Sequence, residues 1–172
     1  MALGDGLFNT WCPLKQEYKH DTTIRTCRYD RLCYGYSLGW LGIVKREEYE
    51  FLVERSRRFY ETALILIERG FYDLAVFSLE QSLQLYLKAC LLKLGLDYPR
   101  THSVRRLLEL IYEVTKRDVI KELLTRFSVE LGALEDAYIT SRYVARSYSF
   151  EEADRLKKVV EEIKRVVGEI IG

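Results

Sequence analysis

Proline is nearly missing from this chain: only Pro13 and Pro99 occur in 172 residues. Because proline breaks helix interiors, long helical segments are left unobstructed. Histidine is equally sparse, with His20 and His102 alone, and a lone histidine is not a metal site. Excess charge of either sign is lacking, since 27 Lys+Arg against 26 Asp+Glu leave a net charge of +1. That balance supplies no bulk attraction to nucleic acid or to an anionic membrane, so any nucleic-acid contact must come from a local patch. Long apolar runs are missing as well. The longest, Ala63 to Ile67, falls far short of the ~20 residues that span a bilayer. The amino terminus shows no basic, apolar and small-residue progression, and Asp5 interrupts it, so no signal peptide is read. A cytoplasmic location without membrane contact is the expectation. Cys12, Cys27, Cys33 and Cys90 are then expected as thiols.

The apolar fraction of 48% and charged fraction of 31% suit a folded domain. Long Leu/Glu/Lys/Arg segments point to an all-α fold. Composition changes near residue 45. The first 43 residues hold three of the four Cys, five of the ten Gly, both Trp and one Pro, without a sustained helical period. Residues 1–45 read as an irregular N-terminal extension, either poorly ordered or the product of a mis-assigned start. A metal knuckle from Cys12, His20, Cys27 and Cys33 is the sharper alternative, but the spacings lack the paired CxxC pattern of a zinc site. A third alternative packs Trp40, Leu41 and the tyrosines against the bundle or a partner subunit.

From residue 46 to 172 the helical period is clear. Helix one is predicted over 46–69, with the stripe Tyr49, Val53, Ser56, Tyr60, Ala63 and Ile67 inward. Gly70 stops it. Helix two follows over 72–94, ended by Gly95 and Pro99. Helix three spans 102–115 with Thr101 as N-cap, helix four 118–141 with Asp118 as cap, and helix five 150–171. Ser149 and Glu152 form an S-x-x-E capping box for the last. Short connections favour an antiparallel up-and-down bundle of about five helices.

Helix two carries Gln81, Gln84 and Lys88 where a plain bundle helix is apolar. Their spacing sets them near one another, and His102 follows at the start of helix three. The plain reading is a polar stripe on a solvated or interfacial face, with His102 bonded across to helix two. The functional reading is a cleft for a nucleotide or a partner's polar group. Nothing near Lys88 in sequence depresses its pKa. Arg105 and Arg106, and Arg142 and Arg146, can each fork a phosphate or pair with Glu109, Glu135 and Asp136. Tyr138, Tyr143 and Tyr148 can stack on a base or serve core and subunit contact.

Three segments, YDLAVFSLEQSLQLYLKACLL at 72–92, PRTHSVRRLLEL at 99–110 and LEDAYITSRY at 134–143, together resemble the HEPN family of small helical domains. The resemblance covers about residues 46–170. It implies a helical bundle, often dimeric and often paired with a minimal nucleotidyltransferase. It also implies a Gln, an acidic residue and a Lys on the second helix. Gln81, Gln84 and Lys88 take those places, with Gln84 a neutral departure. Some members are metal-independent ribonucleases that use an Arg and a His with four to six residues between them. Here Arg142 is followed at that distance by Ser147, Tyr148 and Ser149, and Tyr is a poor base at neutral pH.

The resulting expectation is a non-catalytic, homodimeric accessory domain without cofactor or metal. It binds a nucleotide, RNA or a nucleotidyltransferase protein through Gln81, Gln84, Lys88, His102, Arg142, Tyr143 and Arg146. The alternative is a ribonuclease toxin of a toxin–antitoxin pair working with Arg142, His102 and Tyr148. A purely structural oligomerisation module is the third reading.

Overall fold

The computed structural model describes the backbone of residues 37–143 and 146–172, and the side chains of 46–140 and 146–172. The readings placed on Cys12, His20, Cys27 and Cys33, and on the side chains of Trp40, Leu41, Arg142 and Tyr143, lie outside these residues. The described backbone is all-α. Six helices follow in order: α1 Ser37–Glu68, α2 Tyr72–Lys93, α3 Val104–Thr115, α4 Asp118–Arg126, α5 Ser128–Tyr143 and α6 Phe150–Ile171. Helical backbone therefore begins at Ser37, ahead of the start expected near residue 46.

The expected fourth helix is two helices. At Phe127 the backbone leaves helical values (φ −104°, ψ 25°), and the ring packs against the main core. The Phe127 amide still donates to the Leu123 carbonyl at 2.9 Å, and its own carbonyl accepts from Leu131 at 2.8 Å. On the far side of the break, Arg105 Nη2 donates to the Ser128 carbonyl. An aromatic drawn inward and a carbonyl taken by another helix accompany this break in the helix.

Helix ends follow the sequence closely at three places. Gly70 and Gly95 adopt φ +77° and +82°, the left-handed values that a side chain disfavours. Each closes a Schellman turn: Phe71 donates to Leu66 at 2.9 Å, and Leu96 to Leu91 at 3.0 Å. The Ser149–Glu152 capping box is formed. Two other caps differ from expectation. Ser103, not Thr101, caps α3 by accepting from the Arg106 amide, while Thr101 Oγ1 accepts from the Ser103 amide. Asp118 is the first residue of α4 rather than its cap; Arg117 precedes it with no side-chain bond.

Helix α2 packs against α3, α5 and α6, and most of its residues are buried. Val76, Leu79, Leu83, Leu87 and Leu91 meet Leu107, Leu108 and Ile111 of α3, Leu131 and Leu134 of α5, and Val160, Ile163 and Val167 of α6. Each fully buried Leu or Ile contributes ~1.5–3 kcal/mol, so this core supplies the main drive to fold. Ala63 of α1 joins the same cluster, and Leu52 of α1 forms a smaller one with Ala89 and Leu92. No described helix is long and apolar enough to cross a membrane.

Candidate functional site

Glu80, Gln84 and Lys88 succeed one another at one-turn intervals on α2, so their side chains meet. Gln84 Nε2 donates to Glu80 Oε1 at 2.8 Å. Gln81 Nε2 donates to the other oxygen, Oε2, at 2.6 Å. Lys88 Nζ donates to Gln84 Oε1 at 3.1 Å. Glu80 is fully buried and Gln84 nearly so. Burial pushes the Glu80 carboxyl up to about 7, against the pull of the Gln81 and Gln84 hydrogen bonds and of Lys88; the Glu135 charge adds to the rise. Burial also lowers the Lys88 ammonium, with Glu80 acting in the opposite sense. The cause is burial in the folded chain, which the residues adjacent to Lys88 in sequence do not reveal.

The connection before α3 brings His102 over this row. Gln84 Nε2 lies 3.4 Å from His102 Nδ1 and 3.4 Å from its carbonyl oxygen. His102 Nε2 lies 3.1 Å from the Tyr138 hydroxyl of α5. The two rings also stack, with centroids 4.2 Å apart, and Tyr138 stacks in turn on Phe77 of α2 at 6.4 Å. His102 stands just ahead of the α3 cap rather than in the first turn of the helix. Below it, Glu135 accepts from Ser103 Oγ at 2.8 Å and from the Arg105 amide at 3.0 Å. Glu135 therefore anchors the start of α3 to α5 and keeps His102 in place.

Arg105, Arg106 and Arg146 behave largely as charged surface. Arg106 pairs with Glu109 and Glu113 at 3.1 and 3.2 Å. Arg105 lies 3.9 Å from Glu135. Arg146 lies 3.8 Å from Asp136 and covers the Tyr148 ring at 4.6 Å. Tyr148 lines a small cleft (about 30 Å³) with Val129, Ala133, Arg155 and Leu156, and its buried hydroxyl has no hydrogen-bond partner among the described residues. The structure thus brings Gln81, Gln84, Lys88 and His102 together, and places Arg146 and Tyr148 at a different cleft. The backbone of position 142 lies one turn beyond Tyr138 in α5.

Glu80 is the participant that sequence reasoning missed. Its signal was present: Glu80, Gln84 and Lys88 repeat every four residues. A carboxylate flanked by core leucines ordinarily reads as surface, whereas here it is the acid of the row. A second unforeseen cluster joins α1, α2 and α6. Lys164 Nζ donates to Ser56 Oγ at 3.0 Å and to Ser82 Oγ at 2.6 Å. It sits over the rings of Tyr60 and Tyr86 at 5.3 and 5.5 Å. Burial lowers its ammonium to about 8. Among the described residues no cluster of His, Cys, Asp and Glu is arranged to hold a metal ion. Cys90 is a free, buried thiol.

An all-α bundle with a buried acid–amide–amine row on its central helix defines a small helical domain with a polar face. Residues 49–170 match the family model of the HEPN domain, and the chain belongs to that family. It is similar in structure to the protein TT1696 from Thermus thermophilus, with a TM-score of 0.61 and 24% identity over 71% of this chain and 97% of that one. That likeness concerns the fold. A comparison with curated proteins gives no match.

Proposed function

We propose that this HEPN domain is a non-catalytic, homodimeric accessory module that binds a nucleotide at the α2 polar face, free or presented by an RNA or a nucleotidyltransferase partner. One observation carries the reading: both ring nitrogens of His102 are engaged, by Gln84 and Tyr138, and its ring is stacked on Tyr138. A histidine held in this way is built for recognition more than for shuttling protons. The column Phe77–Tyr138–His102 includes an exposed histidine, and aromatic columns of this kind favour nucleobases. Exposed Phe51, Ile65 and Ile139 supply apolar area for association of two copies.

Titration calorimetry of the full chain with AMP, ATP and short RNAs tests the proposal, with sedimentation to read the oligomer. Saturable heat that is lost in His102→Ala, without cleavage of total RNA, is the expected result. RNA cleavage that disappears in both Arg142→Ala and His102→Ala overturns it in favour of a ribonuclease toxin. Silence toward every ligand, with a dimer that survives dilution, leaves an oligomerisation module.

A further inference from the structure

We infer that Lys164 is a covalent-modification site, at which Ser56 and Ser82 hold the side-chain amine by two hydrogens and leave its lone pair free to attack the carbonyl carbon of a small acyl phosphate. The site joins α1, α2 and α6 and shares no residue with the Glu80–Gln84–Lys88 row.

Each serine hydroxyl has one proton, and both protons are committed. Ser56 Oγ donates to the Ser82 carbonyl at 2.7 Å, and Ser82 Oγ to the Ser56 carbonyl at 2.6 Å. Toward Lys164 the two oxygens therefore offer lone pairs alone, at 3.0 and 2.6 Å from Nζ. A neutral amine carries two N–H hydrogens and one lone pair, so two acceptors satisfy it completely. The third hydrogen of an ammonium finds no acceptor among the described residues. It has the ring faces of Tyr60 and Tyr86 instead, with Nζ 5.3 and 5.5 Å from their centroids.

No counter-charge makes up the difference. The nearby Glu161 carboxylate accepts from the Tyr60 hydroxyl, and the Tyr86 hydroxyl donates to the backbone carbonyl of Lys164 at 3.1 Å. Burial pushes the Cys90 thiol up to about 12, so it stays neutral beside the amine. Burial also lowers Lys164 itself to about 8, which keeps a share of unprotonated amine near neutral pH. The two serines are buried, whereas Lys164 keeps partial exposure, so the core backs the nitrogen and a compact reagent can reach it.

The reaction class follows from charge. Alkylation leaves the nitrogen basic, whereas acylation removes the buried charge. Nζ bonds to the carbonyl carbon, the bond from that carbon to the phosphate oxygen breaks, and one N–H proton leaves with hydrogen phosphate. The amide N–H that remains still donates to one serine.

The test incubates the full chain with acetyl phosphate at neutral pH and follows each lysine by peptide mass spectrometry. Lys121, exposed on α4, is the internal reference. Lys164 is expected to acetylate about tenfold faster than Lys121 in the native chain, and at the same rate in urea. Equal rates in the native chain overturn the inference, as does a preference that survives in urea. Ser82→Ala removes one acceptor and is expected to bring Lys164 toward the Lys121 rate; an unchanged preference overturns the role of the serines. Stability supplies a second readout that needs no variant. Protein acetylated at Lys164 is expected to melt above the unmodified chain, and a lower melting temperature overturns the fit of the serine pair to an uncharged nitrogen.

Discussion

Gly132 of α5 and Arg105 of α3 share one space: a Cβ on Gly132 would lie 2.9 Å from Arg105 Nη2. The missing side chain lets the guanidinium reach the Ser128 carbonyl at the α4–α5 break. Gly132→Ala sets two effects against each other. Alanine gains about 1 kcal/mol of helix propensity, and displacing Arg105 forfeits a charge-assisted bond of about 1.5–3 kcal/mol in a partly exposed setting. The net expectation is a loss of about 1 kcal/mol in chemical denaturation. Arg105→Ala in the same background should show non-additivity.

Glu80 should make stability depend on pH in an unusual direction for a carboxylate. Its folded value of about 7 lies above the unfolded 4.5, so the native state holds the extra proton between them. The stabilisation is full below about 4.5 and is lost as pH rises through about 7. The window is worth about 3 kcal/mol. Urea unfolding at steps from about pH 5 to about pH 8 reads the slope, and Glu80→Gln should flatten it.

Lys164 has the opposite sign. Its folded value of about 8 lies below the unfolded 10.5, so at neutral pH the buried ammonium costs stability, and the cost is relieved as pH rises from about 8 toward 10.5. Ser56 and Ser82 do not depend on it, because each hydroxyl donates to the other's backbone carbonyl, at 2.7 and 2.6 Å. Lys164→Met should therefore raise stability at neutral pH by about 1–3 kcal/mol. Thermal denaturation that instead shows a loss would mean that the ammonium's contacts with Tyr60 and Tyr86 outweigh its desolvation.

Tyr148 offers a simpler subtraction. Its hydroxyl is buried without a partner among the described residues, so Tyr148→Phe should stabilise the fold by about 1 kcal/mol. A fall in melting temperature would show that the hydroxyl is satisfied in solution. The same variant separates the ribonuclease alternative, which counts Tyr148 among its groups, from the binding role, which does not.

Much of this fold is written locally. Gly70, Gly95 and the Ser149–Glu152 pair mark helix ends because their chemistry acts within a few residues, and the inward stripe of α1 follows from period alone. The break at Phe127 is not local, since it depends on Arg105 reaching across from α3. The site divides in the same way. Gln81, Gln84, Lys88 and His102 stand out as polar groups at helical spacing. Glu80 and Lys164 pass as surface charges until other helices close over them, and their shifted protonation is a product of that burial.

The placement of α2 has a consequence for measurement. The helix that carries the row Glu80–Gln84–Lys88 is also the one whose leucines hold α3, α5 and α6 together. Its backbone amides should exchange with deuterium only through opening of the whole bundle, the slowest class of exchange. A ligand seated on that row then slows exchange across the entire domain rather than near itself alone. The footprint of binding would be spread over every core helix, and its outline would not mark the site.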